Sequence, residues 1–254
     1  MIYLYGFIPP DSETDGFHVL GSPGIGGTVS VTAFPGAKLI YSDCPDTDIL
    51  PKRRFLLLHT KILEAFSAHF TVLPMRFGMI AESVDQIADM VSNQRDAISK
   101  QFTTLSGLVE FNLKIDFPHE ATFLNQVAVN PSLRHEHQAL KTLGPAGASR
   151  FADFGRRLGE SVEQARAQAQ DTLARYLEET LPGFVQKNAE SPVQVINSDL
   201  LIERGTEDAL AAKLNGLAKE IALAGEEEPT ITLIGPEPPF SFVSLTFSIH
   251  EQAA

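Results

Sequence analysis

Arg76 stands between Met75 and Phe77 in the apolar run Phe70-Thr-Val-Leu-Pro-Met-Arg-Phe-Gly78. A guanidinium there has three possible roles. It is solvated on the open face of a half-buried sheet, it forms an ion pair that fixes a docked helix or domain, or it binds a ligand. Arginine is seldom buried unless paired, and with 32 acidic against 20 basic residues a carboxylate partner is available. His59 lies beside an apolar helical stripe, where a core histidine with one satisfied nitrogen is the ordinary role and metal binding or catalysis the sharper one. His135-Glu-His137 lacks HExxH spacing, and histidines two apart on a helix point to different sides. Gly21-Ser-Pro-Gly-Ile-Gly-Gly27 has the glycine content of a phosphate loop. Such a loop needs a helix N-terminus after it, but Thr28 to Phe34 alternates like a strand, so a hairpin loop is expected. Cys44 is the single cysteine, which excludes a disulfide framework and a cysteine metal cluster and fits a reducing compartment. No catalytic residue, metal site or cofactor emerges.

The elements around Arg76 form a first α+β domain, residues 1–106. Ile2 to Ile8 reads as a strand with Tyr3 and Tyr5 on one face, and Pro9-Pro10 ends it. Phe17 to Leu20, Thr28 to Phe34 and Ala37 to Tyr41 are expected strands. A helix from Pro51 to about Phe70 carries Phe55, Leu58, Ile62, Leu63, Phe66 and Phe70 along one stripe. The strand Thr71 to Phe77 follows, with Pro74 requiring an edge or a bulge because it cannot donate to a ladder. Ser83-Val-Asp-Gln86 has the form of a capping box for a helix running to Leu105.

A second domain is expected over residues 107–240. Leu108 to Phe117 alternates cleanly, with Val109, Phe111, Leu113, Ile115 and Phe117 on the apolar side and Glu110 on the polar one. Residues 118–149 read as an irregular insertion in which Asn130-Pro131 opens a short helix. The longest helix spans Phe151 to about Lys187, bent or broken near Pro182-Gly183. Strands Val193 to Ile196 and Leu200 to Glu203 are joined by a turn at Asn197-Ser198. A helix capped by Thr206 and a strand Thr230 to Ile234 complete a β-α-β-β-α-β order, the pattern of a ferredoxin-like fold. The acidic run Glu226 to Glu228 reads as a solvated loop. The last stretch, residues 241–254, is a tail. Pro236, Pro238 and Pro239 hold its approach extended, and Val243, Leu245, Phe247 and Ile249 alternate with polar residues, so the segment seeks an apolar surface, the simplest being the first domain of the chain itself.

The net charge of −12 repels phosphate backbones and anionic lipid, so nucleic acid and membrane are not expected partners. No run is long enough to span a bilayer, and MIYLYGFIPP has no basic region of a signal peptide.

Four segments, Tyr3-Leu-Tyr-Gly6, Leu73-Pro-Met-Arg-Phe-Gly78, Leu105-Ser-Gly-Leu-Val-Glu-Phe-Asn-Leu-Lys114 and Gly235-Pro-Glu-Pro-Pro-Phe-Ser-Phe242, in this order and spacing resemble the gas vesicle protein F/L family. His59 also matches its pattern. The chain departs from it at Glu237, where tryptophan is usual, at Phe240, where tyrosine is usual, and at Met79, where threonine often stands. The resemblance implies a non-enzymatic accessory or minor structural protein of gas vesicle assembly. It implies binding to the small hydrophobic shell protein and to other accessory proteins, and a place at the gas vesicle in the cytoplasm. Pro74, Arg76, Phe77, Pro238, Pro239, Phe240 and Phe242 are then candidate structural or partner-binding residues. A ferredoxin-like small-molecule-binding regulator or enzyme is the alternative, distinguished by a deep polar pocket holding a strongly shifted ionisable group.

Overall fold

The computed structural model describes residues 1–45, 49–117, 124, 128, 130–221 and 229–245. It is a mixed α+β fold that divides into two compact units, Met1–Glu110 with Gly235–Ala254, and Phe111–Ile234.

The first unit is built on β1 (Ile2–Ile8), every residue of which is buried. β1 pairs antiparallel with β3 (Ala37–Asp43) on one side and with β4 (Leu73–Pro74) and β5 (Ile80–Ala81) on the other. β2 (Val29–Phe34) pairs with β3, giving the order β2-β3-β1-β4. The β1–β3 register shifts between Leu4 and Gly6, which marks a bulge. A Cβ on Gly6 would lie 2.6 Å from the Leu73 carbonyl oxygen, so glycine lets β4 approach this closely. Pro74 pairs with Gly6 at the sheet edge, as a residue without an N–H requires.

The expected strand Thr71 to Phe77 is cut to two residues, with only the Met75 N–H continuing to the Tyr5 carbonyl at 2.8 Å. Phe17 to Leu20 is not a strand. The Phe17 and Leu20 N–H groups bond back three residues, to Thr14 and Phe17, in successive turns. α1 (Arg53–Ser67) buries His59, Ile62, Leu63 and Phe66. The helix expected to reach Leu105 is two helices, α2 (Val84–Asn93) and α3 (Arg95–Leu105), parted at Gln94 with φ −115° and ψ 16°. The break falls beside Ser92 and Asn93, weaker helix formers than their flanks. Ser83 caps α2 by accepting the Gln86 N–H, and the Gln86 side chain accepts the Glu82 N–H.

The second sheet, order β7-β8-β6-β9, joins β6 (Leu108–Asp116), β7 (Gly183–Gln186), β8 (Gln194–Glu203) and β9 (Thr230–Glu237). Its helices are α4 (Pro131–Lys141), α5 (Ala148–Thr180) and α6 (Glu207–Ile221). Two expectations are corrected here. α5 ends at Thr180 rather than near Lys187, because Leu181 precedes a proline and is extended, at φ −109° and ψ 149°. Gly183–Gln186 is thereby free to pair with β8. Asn197-Ser198 is not a turn but the middle of one continuous strand. The Asn197 amide donates to the Asn188 carbonyl at 2.8 Å, so its polar group is satisfied without reversing the chain.

Asn130 caps α4 with Pro131 in its first turn. Most of the expected insertion before it, the acidic run Glu226 to Glu228 and the tail beyond Leu245 lie outside the described residues. Among the described residues no helix is long and apolar enough to cross a membrane.

Candidate functional site

The first unit holds a polar network inside an aromatic core. Tyr3 and Tyr5 project from alternate positions of β1, their rings 5.0 Å apart. His59 on α1 lies 5.6 Å from Tyr5, stacked, and its Nε2 is 3.1 Å from the Met75 carbonyl. A carbonyl only accepts, so Nε2 carries the proton and Nδ1 accepts from the Tyr3 hydroxyl at 2.9 Å. The Gly78 N–H donates to that hydroxyl at 3.1 Å. One histidine thereby ties β1, α1 and the chain on either side of Arg76. Burial pushes its pKa down to about 4, outweighing the opposite pull of the Met75 carbonyl. Burial likewise raises the Tyr3 and Tyr5 phenols. The Tyr5 hydroxyl accepts the Ile25 N–H at 2.7 Å, and Ser42 donates to the Ile25 carbonyl at 2.8 Å. The glycine-rich loop is therefore folded over Tyr5. A Cβ on Gly24 would meet the Tyr5 hydroxyl at 2.7 Å, which is why glycine stands there.

The segment after β9 returns to this same unit. Pro238 and Pro239 are buried, and the Phe240 ring lies 6.4 Å from His59 against the core. Phe240 and Phe242 are half-buried, and their N–H groups bond to the Pro238 and Pro239 carbonyls, turning the chain. Glu110 holds the turn down. It is 4% exposed, although alternation puts it on the polar side of β6. Its two carboxylate oxygens accept the Ser241 N–H at 2.8 Å and the Ser241 hydroxyl at 3.0 Å. Gln101 accepts the Ser244 N–H at 3.1 Å.

Of the candidates read from sequence, Phe77 and Phe240 converge on His59, with the Phe77 ring 5.8 Å from it and 6.1 Å from Tyr3. Pro74 is buried at the sheet edge, paired with Gly6. Arg76 does not join. It is exposed and forms no ion pair among the described residues, so the carboxylate partner expected for it is absent there. The reason is local. The strand ends at Pro74, and Arg76 lies beyond the paired residues, where water solvates it. Sequence reading missed Glu110 and Ser241, whose contact spans 131 residues and leaves no local trace.

The second unit has a polar cluster of its own. Asp199, buried on β8, accepts from Lys187 at 2.6 Å and from Asn112 at 3.0 Å. Lys114 pairs with Glu190 at 2.6 Å and holds that carboxyl below its usual range. Each cation here has its anion. Among the described residues no group of three or more His, Cys, Asp or Glu could hold a metal.

The family model described as gas vesicle synthesis protein GvpL/GvpF matches residues 1–244. The chain belongs to this family. Among curated relatives, gas vesicle protein F of a Streptomyces species is 29% identical over 208 residues, 80% of this chain and 83% of that protein. Gas vesicle protein F2 of Halobacterium salinarum is 24% identical over 247 residues, 96% of this chain and 92% of that one. Two crystal structures share the fold. GvpF from Microcystis aeruginosa superposes with a TM-score of 0.71 over 96% of this chain and 99% of that one, at 22% identity. GvpF from Anabaena sp. PCC7120 does so with 0.73 over 97% of each, at 18% identity. Membership in the GvpL/GvpF family supports a role in gas vesicle assembly.

Proposed function

We propose that this GvpL/GvpF member is a non-enzymatic accessory or minor structural protein that binds the small hydrophobic shell protein during gas vesicle assembly, at the vesicle in the cytoplasm. The match over residues 1–244 carries this reading. The chemistry of the core supports it over a catalytic one. The strongly shifted groups, Tyr3 and His59, satisfy each other inside the fold instead of lining a cleft. The Phe111–Ile234 unit is read as ferredoxin-like, supported by the element order from β6 to β9 and by the strand order β7-β8-β6-β9. We take Met1–Glu110 with the returning segment from Gly235, and Phe111–Ile234, as the two functional units, in place of the sequence-based bounds 1–106, 107–240 and 241–254.

Pro238, Pro239, Phe240 and Phe242 are read as the element that docks the end of the chain onto the first unit, with Pro74 and Phe77 as its support and Arg76 as a solvent-facing partner contact. Co-purification of the intact protein with the main shell protein is the test. Retention of the shell protein by the parent, reduced by Arg76→Ala at unchanged melting, is the expected result. No retention by a folded parent would overturn the shell-binding reading.

A further inference from the structure

Large apolar side chains exposed on a folded surface are ordinary when scattered and informative when grouped. Eight are exposed among the described residues, and three of them, Leu50, Leu56 and Leu57, fall within eight positions at and just before α1. Leu56 and Leu57 are off the stripe that α1 buries, and Leu50 lies three residues before the helix begins. Helical spacing puts Leu57 one turn from both Arg53 and Lys61, so the outer face of α1 reads as leucines flanked by cations up to Lys61, with the exposed Glu64 following on the same face. Arg53, Arg54 and Lys61 are exposed and make no ion pair among the described residues. The Arg54 guanidinium lies instead 4.5 Å over the adjacent Phe55 ring. In a chain of net charge −12, this is a local reversal of sign with apolar side chains at its centre.

We infer that the outer face of α1 is an interaction surface for an acidic amphipathic helix of a partner protein. The leucine ridge fits the groove of a second helix. Carboxylates flanking that helix's apolar stripe pair with Arg53, Arg54 and Lys61, which steers approach and fixes register. Two other occupants fit less well. Anionic lipid meets the repulsion of the whole acidic chain, and three leucines with no aromatic anchor among them offer little to insert. A second copy would bring that same overall negative charge against itself.

The test uses the full chain and labelled synthetic peptides. These span each acidic amphipathic helix of the main shell protein and of the other gas vesicle accessory proteins. Binding is read by fluorescence anisotropy. The expected result is that at least one peptide binds and weakens at least ten-fold with Arg53→Glu/Arg54→Glu, and again with Leu56→Ser/Leu57→Ser. Affinity returns to the first variant when the peptide's carboxylates are changed to lysines. Both variants change exposed groups, and unchanged melting checks their folding. Lys61→Glu alone serves if either misfolds. Failure of every peptide to bind, or binding indifferent to the variants, overturns the inference. So does binding to phosphatidylglycerol vesicles in place of peptides, or a dimer that the leucine variant dissolves. Intact shell protein bound equally by parent and variants would leave the shell-binding reading standing while this one falls.

Discussion

His59 is neutral in the folded chain because burial penalises its charged form, while the Met75 carbonyl fixes the remaining proton on Nε2 and leaves Nδ1 to accept from the Tyr3 hydroxyl. Its pKa of about 4, against an ordinary 6.5, links protonation to stability. Below pH 6.5 the unfolded chain takes up a proton that the folded chain does not accept until about pH 4. Stability present above pH 6.5 is therefore lost as pH falls through this window, by about 3 kcal/mol in total at about 1.4 kcal/mol per unit. Unfolding midpoints of His59→Gln measured across the window should fall less steeply than the parent's, and equal slopes would contradict the neutral buried ring. Tyr3→Phe strands both Nδ1 and the Gly78 N–H, and should cost roughly 1–3 kcal/mol in denaturant titration. The apolar stripe of α1 announced a core position for His59. Its partners lie 56 residues before and 16 after it, on elements whose approach no local pattern records.

Periodicity was a good guide to elements and a poor one to their ends. The alternation of β6 was legible from Val109 to Ile115, yet Glu110 is buried because Ser241 supplies it with two donors. Asn197-Ser198 looked like a turn because these residues favour turns when exposed, and here the loop after β7 satisfies the Asn197 amide in place. The same strand makes a prediction. Lys187→Met removes the ammonium paired with the buried Asp199 carboxylate, which keeps its bond from Asn112. Since the lysine is 45% exposed, the loss should be a modest 1–3 kcal/mol or so, read as a lowered thermal midpoint. The Glu110 carboxylate is a principal anchor of the turn after β9. Glu110→Ala removes both bonds to Ser241, and proteolysis should then clip the end of the chain sooner than in the parent. Equal clipping rates would mean that the carboxylate does not hold the segment.

The unit Met1–Glu110 is closed by residues from Gly235 onward, whereas Phe111–Ile234 is one uninterrupted stretch of chain. A variant ending at Ile234 should keep the amide protection of β7 and β8 while β1 and α1 exchange faster. Uniform loss of protection would show that the two units do not hold their stability separately. Sequence alone placed a boundary at Ser106-Gly107, because a glycine turn is visible there, and its greasy, proline-led last segment pointed back to the first domain, where the structure groups residues from Gly235 onward. That return sets a schedule for synthesis. Ser241 leaves the ribosome 131 residues after Glu110, a delay of roughly 7–26 s at about 5–20 residues per second. Through that interval Glu110 lacks both donors from Ser241, while all of the later-made unit is emerging. The half of the protein that is begun first is therefore the half that is finished last.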